Sequence, residues 1–278
     1  MPRDLTDQVI AITGASSGIG AATAVACAQA GMHVALNARR QDRLEAVARR
    51  ITPSGRQALV IGGDVDRDDD VDRFIDQTQT HFGRLDAVFA NAGYGLYATV
   101  DATGDAQARA IFETNFFGTL RVIRKAVPIM RDQGRGHILI CSSAVSEIGL
   151  PMYGMYCATK AAQDSVASAM RAELIDHGID VSSVHPVGTS TEFYESTRIR
   201  SNESQSRYNT PAALVQTSEQ VAKSIVRCLR KPRPEVWPQP WARIGLAIVT
   251  AAPAFNALSM RSLMRKRFAK VIDKGTES

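Results

Sequence analysis

The sequence predicts a single α/β domain built on a doubly wound parallel sheet with helices on both faces, followed by a C-terminal extension. Short runs of almost entirely apolar, often β-branched residues recur along the chain. Longer segments with apolar residues at every third or fourth position separate these runs. Strands buried on both faces and amphipathic crossover helices produce this alternation. In such a sheet a ligand binds at the carboxyl ends of the strands, where the winding direction reverses.

The predicted elements follow one another in a regular order. The strands are residues 9–13, 33–37, 58–61, 87–90, 137–141 and 181–185. The helices are residues 21–30, 42–50, 71–81, 106–130, 158–176 and 218–230. Residues 235–237 are predicted to add an edge strand. The segment at about 187–216 is largely polar and lacks a clear period, which is typical of a substrate lid.

The size and composition of the chain limit its class. With 278 residues, of which 45% are hydrophobic, the chain has enough material for one large core. We therefore expect one catalytic domain over residues 1–239 and an extension over residues 240–278. The chain has no run of about 20 apolar residues that could span a membrane, and its polar N-terminus does not resemble a signal peptide. A cytoplasmic protein is expected.

The cysteines and the charge exclude further classes. Cys27, Cys141, Cys157 and Cys228 form no Cys-x-x-Cys pair, so neither a metal site nor a redox motif is predicted. We interpret them as buried thiols in a reducing compartment. The net charge is +5, but basic and acidic residues are interleaved outside the C-terminal tail. The sequence therefore does not indicate a nucleic-acid partner.

A glycine-rich turn directly follows the first predicted strand. It reads Thr13-Gly14-Ala15-Ser16-Ser17-Gly18-Ile19-Gly20 and leads into an alanine-rich helix. Glycines allow the backbone to approach a pyrophosphate, whose charge meets the free amides at the start of the helix. A tight turn that only permits close packing is the alternative. The position at the first strand-to-helix junction favours dinucleotide binding.

The end of the second predicted strand indicates which dinucleotide binds. A protein that binds NAD usually has an acidic residue there to hold the ribose 2′-hydroxyl, whereas this chain has Asn37-Ala38-Arg39-Arg40. A guanidinium pairs with a 2′-phosphate, so Arg39, helped by Ser16 or Arg40, favours NADP(H). In the alternative interpretation, the two arginines only begin a solvated helix.

Two further turns are candidates for cofactor contacts. Asp64 and Val65 follow the third strand and suit the adenine edge. Asn91-Ala92-Gly93 follows the fourth strand and would bring the backbone close to the ribose. Taken singly, each is also compatible with an ordinary turn.

Candidate catalytic residues lie on and before the fifth predicted helix. Tyr156 and Lys160 are four residues apart and therefore share one helix face. A nearby cation lowers the pKa of a tyrosine from its reference value of about 10 because it stabilises the phenolate. Ser143 ends the fifth strand and can donate a hydrogen bond to a carbonyl oxygen at the same place. Alone, the Tyr156 and Lys160 pair would more often be an ordinary surface pair.

Together these motifs closely resemble the short-chain dehydrogenase/reductase family, in its compact single-domain branch. The resemblance runs from about residue 9 to residue 237 and includes the glycine turn, the Asn91-Ala92-Gly93 turn and the set of Ser143, Tyr156 and Lys160. It implies a Rossmann-type sheet of seven strands and an assembly of two or four identical chains.

The resemblance also implies the role of each catalytic residue. Tyr156 is the implied general acid/base, and Ser143 polarises the carbonyl group. Lys160 binds the nicotinamide ribose and lowers the pKa of Tyr156. Asn115, in Glu113-Thr-Asn-Phe-Phe-Gly118, matches the asparagine that supports a water-mediated proton relay through the lysine.

The chain departs from the family after the sixth strand. The family commonly has Pro-Gly followed by a Val-x-Thr segment that faces the nicotinamide, and Val187 stands here at the usual glycine position. Glycine comes one residue later, so the backbone is expected to bend differently. Pro186 and Thr189 are carried over as cofactor contacts, and Thr191 is a further candidate.

The loops after strands four, five and six carry many large apolar or aromatic residues. They are Tyr94, Leu96, Tyr97, Met152, Tyr153, Met155, Phe193 and Tyr194. A wall of this kind suits a bulky hydrophobic carbonyl or alcohol better than a small polyol. About half of these residues are expected to pack internally.

Three functions compete on these observations. The first is an NADPH-dependent ketone or aldehyde reductase, or the same enzyme acting as an alcohol dehydrogenase. The second is an NADP(H)-binding redox sensor or scaffold without turnover, which the retained catalytic set disfavours. The third is a nucleotide-sugar epimerase, which would require a larger C-terminal substrate domain and a differently spaced glycine turn.

The C-terminal tail is not explained by the sheet or by the chemistry. Residues 244–258 are largely apolar, and residues 261–270 are strongly basic. The tail either docks on protein, covering the substrate cleft or a neighbouring subunit, or makes a weak peripheral contact with an anionic membrane. Pro253 would break any single long amphipathic helix, which favours docking on protein.

Overall fold

The computed structural model describes residues 1–190, 192–201, 215–251, 258 and 260–262. The strands are β1 Val9–Thr13, β2 His33–Ala38, β3 Ala58–Gly62, β4 Ala87–Ala90, β5 Gly136–Cys141, β6 Ile179–Val184, β7 Thr189–Ser190, β8 Gln216–Thr217 and β9 Glu235–Val236. Within the described ranges, seven strands form one parallel sheet in the order β3-β2-β1-β4-β5-β6-β9. The order reverses between β1 and β4, as the doubly wound prediction requires.

Helices cover both faces of this sheet. The α-helices of the described residues are α1 Gly18–Gln29, α2 Gln41–Ile51, α3 Asp68–Phe82, α4 Asp105–Phe112, α5 Gly118–Asp132, α6 Gly154–Leu174, α7 Phe193–Arg200, α8 Ser218–Arg230 and α9 Pro240–Ala251. Apolar residues of α1, α2 and α8 pack on one face, and those of α3, α5 and α6 pack on the other. Helix α8 begins with a capping box, in which Thr217 and Gln220 bond each other's backbone amides.

Alternation along the strands explains why two cores form. In β1, Ile10 and Ile12 belong to the core under α1, whereas Ala11 belongs to the core under α3 and α5. All five residues of β1 are buried, because successive side chains point to opposite faces and both faces are covered. The continuous apolar runs seen in the sequence follow from this double burial.

The predicted elements are confirmed, with shifted ends and one correction. The predicted single helix over residues 106–130 is wrong, because a π-helical turn at Glu113–Phe117 separates α4 from α5. The turn contains Asn115. Single π-helical turns within helices are often found at functional sites. The predicted edge strand is present as Glu235–Val236.

The predicted lid contains regular structure where the structure describes it. The short strands β7 and β8 pair in parallel, and α7 lies between them along the chain. Thr191 and residues 202–214 lie outside the described residues. The boundary at residue 239 stays a prediction. In the ranges that the structure describes, no helix combines the length and the apolar character that crossing a bilayer needs.

Candidate functional site

A cleft of about 460 Å³ opens at the carboxyl ends of the strands. Sixteen of the predicted site residues line it, because the ends of parallel strands meet at one edge of the sheet. They are Gly14, Ser16, Ser17, Gly18, Ile19, Arg39, Asp64, Val65, Asn91, Ala92, Gly93, Ser143, Tyr156, Lys160, Pro186 and Thr189. Gly20 and Asn115 do not line the cleft but contact Gly14 and Tyr94, which do.

The glycine turn is shaped by close backbone contacts. Gly14 has a φ of 64°, and a Cβ atom there would lie 2.9 Å from the Cα atom of Ala92. A Cβ atom at Gly20 would lie 2.3 Å from the carbonyl oxygen of Gly14. Gly20 is therefore required for packing α1 against the turn. The side chain of Ser17, which precedes α1, makes no capping hydrogen bond, so the first amides of the helix remain available to an anion.

The turn after β4 is tied to the glycine turn. The backbone amides of Asn91 and Ala92 donate to Oγ1 of Thr13 over 3.0 and 3.1 Å. The side-chain amide of Asn91 donates to the carbonyl oxygens of Thr13 and Gly14 over 3.0 and 3.3 Å. Asn91 thus fixes the two turns relative to each other. Thr13, the first residue of the glycine motif, supports both turns but was not among the predicted site residues.

A group of charged residues surrounds the end of β2. Arg39 is largely exposed, and its Nη1 lies 3.8 Å from a carboxylate oxygen of Asp64. Arg40 donates from Nη2 to the hydroxyls of Ser16 and Ser17 over 3.2 and 3.1 Å. These cations lie beside the free end of α1, where the local field favours an anionic ligand.

Glu192 crosses from the lid to this group. Its two carboxylate oxygens accept from Arg40 over 3.0 Å and from Arg43 over 2.9 Å. The hydrogen bond from the Arg40 guanidinium holds the pKa of the Glu192 carboxyl below its usual value. The sequence analysis did not identify Glu192 or Arg43, because a contact between residues so far apart in the chain leaves no local pattern.

Tyr156 and Lys160 lie one turn apart at the start of α6, as predicted. The Nζ atom of Lys160 is 5.6 Å from the centre of the Tyr156 ring, and only 4% of Lys160 is exposed. Burial lowers the pKa of the Lys160 ammonium, while the nearby Cys141 and Asp164 raise it. Ser143 lies at the end of β5 in the same cleft, where its hydroxyl accepts a long bond of 3.4 Å from the amide of Val145.

Asn115 is fully buried in the π-helical turn. Its side-chain oxygen accepts from the amide of Tyr94, and its side-chain nitrogen donates to the carbonyl of Tyr94, both over 2.9 Å. A further bond of 3.1 Å reaches Oγ1 of Thr159 on α6. Asn115 therefore fixes the loop after β4 against the helix that carries Tyr156.

The backbone carbonyl of Asn115 also has protein partners. It accepts from Oγ1 of Thr119 over 2.8 Å and from Nε2 of Gln163 over 2.6 Å. Gln163 was not among the predicted site residues. One feature of the sequence could have indicated Gln163: it is a polar residue on the inner side of α6, three positions after Lys160.

The segment after β6 tolerates valine at the usual glycine position. Neither Val187 nor Gly188 has a positive φ, so the valine causes no backbone strain there. The hydroxyl of Thr189 donates to the carbonyl of Val187 over 2.8 Å. Pro186 accepts from the amide of Ala144 over 3.0 Å, which connects this segment to the turn after Ser143.

The predicted apolar wall is divided between the cleft and the core. Of its members, Tyr94, Tyr153 and Phe193 line the cleft. Tyr97 and Met152 are buried in a cluster with Leu150, Tyr153 and Cys157. Leu96 and Met155 belong to a second cluster beside Tyr156, and the side chain of Tyr194 lies outside the described residues. Val145 and Leu150 also line the cleft, although the sequence analysis did not select them.

Met152 has an unusual backbone conformation. Its φ is 67°, a left-handed value that costs a residue other than glycine about 1 kcal/mol or more. Its carbonyl oxygen accepts from the amide of Ala98 over 2.8 Å, which joins the loops after β4 and β5. This strain lies at the start of α6, close to Tyr156.

Comparisons with known proteins identify the family of the chain. A family model described as short chain dehydrogenase matches residues 8–202. The chain is 35% identical over 229 residues to the 11-beta-hydroxysteroid dehydrogenase-like 3 of Arabidopsis thaliana, covering 81% of this chain and 71% of that protein. The chain spans only 18% of one curated relative and about half of several others.

Solved structures of a reductase and a dehydrogenase share the fold of this chain. The 3-ketoacyl-(acyl-carrier-protein) reductase of Brucella melitensis, complexed with NADH, is 26% identical with a TM-score of 0.73, covering 82% of this chain and 92% of that one. The alcohol dehydrogenase of the archaeon Thermococcus sibiricus, complexed with 5-hydroxy-NADP, is 28% identical with a TM-score of 0.71, covering 82% and 94%.

Proposed function

The chain belongs to the short-chain dehydrogenase/reductase family and is an oxidoreductase, and on this basis we propose that it transfers a hydride between NADP(H) and the carbonyl or alcohol carbon of a bulky hydrophobic substrate. The observation that carries the proposal is the placement of Ser143, Tyr156 and Lys160 in the same cleft as the glycine turn. Both the cofactor contacts and the proton-transfer groups therefore face one space.

The residues present fit a nicotinamide dinucleotide. Any side chain at Gly14 or Gly20 would fill the space against the turn, and the free amides of α1 suit a pyrophosphate. The cofactor supplies or accepts the hydride at its nicotinamide ring. Asn91 fixes the turn that would approach the ribose, and Lys160 would hold the ribose by donating to its hydroxyls.

The protein residues handle the proton. In the reducing direction the phenol of Tyr156 donates its proton to the carbonyl oxygen, while the hydroxyl of Ser143 donates a hydrogen bond to the same oxygen. The Lys160 ammonium stabilises the resulting phenolate because it lies close to the ring in a buried site. In the oxidising direction the phenolate accepts the proton of the alcohol.

The NADP(H) preference is proposed from the charges at the end of β2. Arg39 lines the cleft with most of its side chain exposed, and no acidic residue takes the place that holds a 2′-hydroxyl. Glu192 holds Arg40 and Arg43 at 3.0 and 2.9 Å, whereas the contact of Arg39 with Asp64 is longer, at 3.8 Å. Arg39 is therefore the residue proposed to receive the 2′-phosphate.

The proposal is tested by screening NADPH oxidation against ketones, aldehydes, steroids and acyl thioesters, with the Tyr156→Phe variant as the control in every assay. We expect the bulky apolar ketones to be turned over faster than small polar ones, because Val145, Leu150 and Phe193 line the cleft. Tight NADPH binding without turnover of any carbonyl would instead support the redox-sensor alternative.

We propose that the tail docks on the substrate side of its own chain. Met260 packs against the buried cluster that contains Leu150 and Tyr153. The outer face of α9 carries Trp241, Ile244 and Ile248, all exposed in the single chain. A second copy of the chain or an anionic membrane surface would cover them. The assembly of two or four copies and the cytoplasmic location also remain proposals.

A further inference from the structure

We propose that Gln163 is a positioning residue that holds the Lys160 ammonium against the Asn115 turn, at the place where the family resemblance implies a water molecule. The proposal rests on the assignment of Tyr156 and Lys160 above. Gln163 lies on α6 three residues after Lys160, and 1% of it is exposed.

Gln163 connects the lysine to the π-helical turn through its amide group. The Lys160 Nζ donates to Oε1 of Gln163 over 2.9 Å. Nε2 of Gln163 donates to the carbonyl oxygen of Asn115 over 2.6 Å and to Oγ1 of Thr119 over 2.8 Å. The chain from ammonium to carbonyl is therefore continuous and made of side-chain and backbone atoms alone.

Chemistry fixes the orientation of the amide. An ammonium is only a donor, so the group that faces Lys160 has to be the amide oxygen. A carbonyl is only an acceptor, so the group that faces Asn115 has to be the amide nitrogen. The reversed amide would place donor against donor and acceptor against acceptor, so this assignment does not depend on distinguishing the two atoms.

The carbonyl of Asn115 already accepts two side-chain hydrogen bonds in this arrangement. Oγ1 of Thr119 and Nε2 of Gln163 donate them. The position that would hold a bridging water is thus taken by an amide. A fixed side chain restrains the ammonium more firmly than an exchangeable water does.

The restraint matters because the ammonium is buried. The carbonyl of Cys141 accepts a second hydrogen bond from Nζ over 2.7 Å. Together with Gln163 it stabilises the charged form of Lys160, against the cost of burial. Among the described residues, the other titratable groups recorded near Lys160 are the Cys141 thiol, the Tyr156 phenol and Asp164. Asp164 faces His185 across 3.7 Å.

The expected consequence is that Lys160 stabilises the Tyr156 phenolate only while Gln163 holds the ammonium near the ring. If the amide is removed, the ammonium loses an acceptor and either moves away from the ring or becomes neutral. Both changes weaken the positive field at the phenol, so the pKa of Tyr156 rises. In Gln163→Glu the carboxylate offsets the ammonium charge, and the pKa of Tyr156 rises as well.

The test is an ultraviolet difference titration of tyrosine in the cofactor-free protein. The contribution of Tyr156 is the difference between each variant and the same variant carrying Tyr156→Phe. We expect Gln163→Met to raise the Tyr156 pKa by about one unit, which is the low end of what a charge at this distance causes. Gln163→Glu, which keeps the shape of the side chain, should raise it at least as much.

A matched control separates positioning from stability. Thr78 is fully buried and donates to the carbonyl of Phe74 on α3, away from the cleft. Thr78→Val should lower thermal stability without moving the Tyr156 titration. An unchanged Tyr156 titration in both Gln163 variants would overturn the proposal. The titration needs no substrate, so a failed substrate screen would leave this result standing.

Discussion

The two sides of the cleft are built in different ways. On the cofactor side, formed by the glycine turn, the start of α1 and the end of β2, the tightest contacts are between backbone atoms at Gly14 and Gly20, and charged side chains such as Arg40 and Glu192 surround them. On the substrate side, formed by the loops after β4 and β5 and by α7, side chains from remote segments meet. The rings of Tyr97 and Tyr153, from the loops after β4 and β5, lie 5.3 Å apart there, measured between their centres. Backbone contacts accept few residue types, whereas side-chain contacts accept many, so the first side suits a common cofactor and the second a particular substrate.

The largest effect is expected on the cofactor side. Gly20→Ala places a Cβ atom 2.3 Å from the carbonyl oxygen of Gly14, and α1 has to shift. We expect a loss of stability of about 2 kcal/mol or more and a much weaker NADPH complex, measured by chemical denaturation and by fluorescence titration. Gly104→Ala is the control, because a Cβ atom there contacts nothing within 4 Å. If the two variants had equal stability and equal NADPH affinity, close backbone contact would not be what shapes the cofactor side.

The second effect concerns the choice of cofactor. In the unmodified protein we expect NADPH to bind more tightly than NADH, and Arg39→Asp should reverse the order. A charge-assisted bond contributes about 1.5 to 3 kcal/mol, which corresponds to roughly a 10- to 100-fold change in the dissociation constant for NADPH. Arg109→Asp, an equal charge change at an exposed position outside the cleft lining, should leave both constants unchanged. Equal constants for the two cofactors in the unmodified protein would refute the preference.

The smallest effect is expected at the tail, whose described residue Met260 contacts the substrate side. A truncation ending at Gln239 removes Met260 from its cluster, so we expect the Michaelis constant for the carbonyl substrate or the oligomeric mass to change while NADPH binding stays the same. Sedimentation of the full-length protein with anionic liposomes at low salt, combined with unchanged kinetics of the truncation, would favour a membrane contact instead.

The difference between contacts of chain neighbours and contacts of remote residues also explains which features could be predicted from the sequence. Contacts between neighbours in the chain leave local patterns, so the glycine turn, the pairing of Tyr156 with Lys160 and the buried strands could be predicted. The π-helical turn around Asn115 could not, because apolar spacing continues through it without a break. Glu192 and Gln163 were missed because their partners lie far away in sequence or are backbone atoms. For the same reason, only the packing of the loops shows which residues of the apolar wall face the cleft.

The central claim is that Tyr156 transfers the proton. The most direct measurement compares turnover and NADPH binding in Tyr156→Phe and Lys160→Ala with a carbonyl substrate from the screen. The account predicts that Tyr156→Phe binds NADPH almost normally and loses about 100-fold or more in turnover, the range that general acid catalysis supplies. It also predicts that Lys160→Ala weakens both binding and turnover. Substantial turnover in Tyr156→Phe would contradict the account.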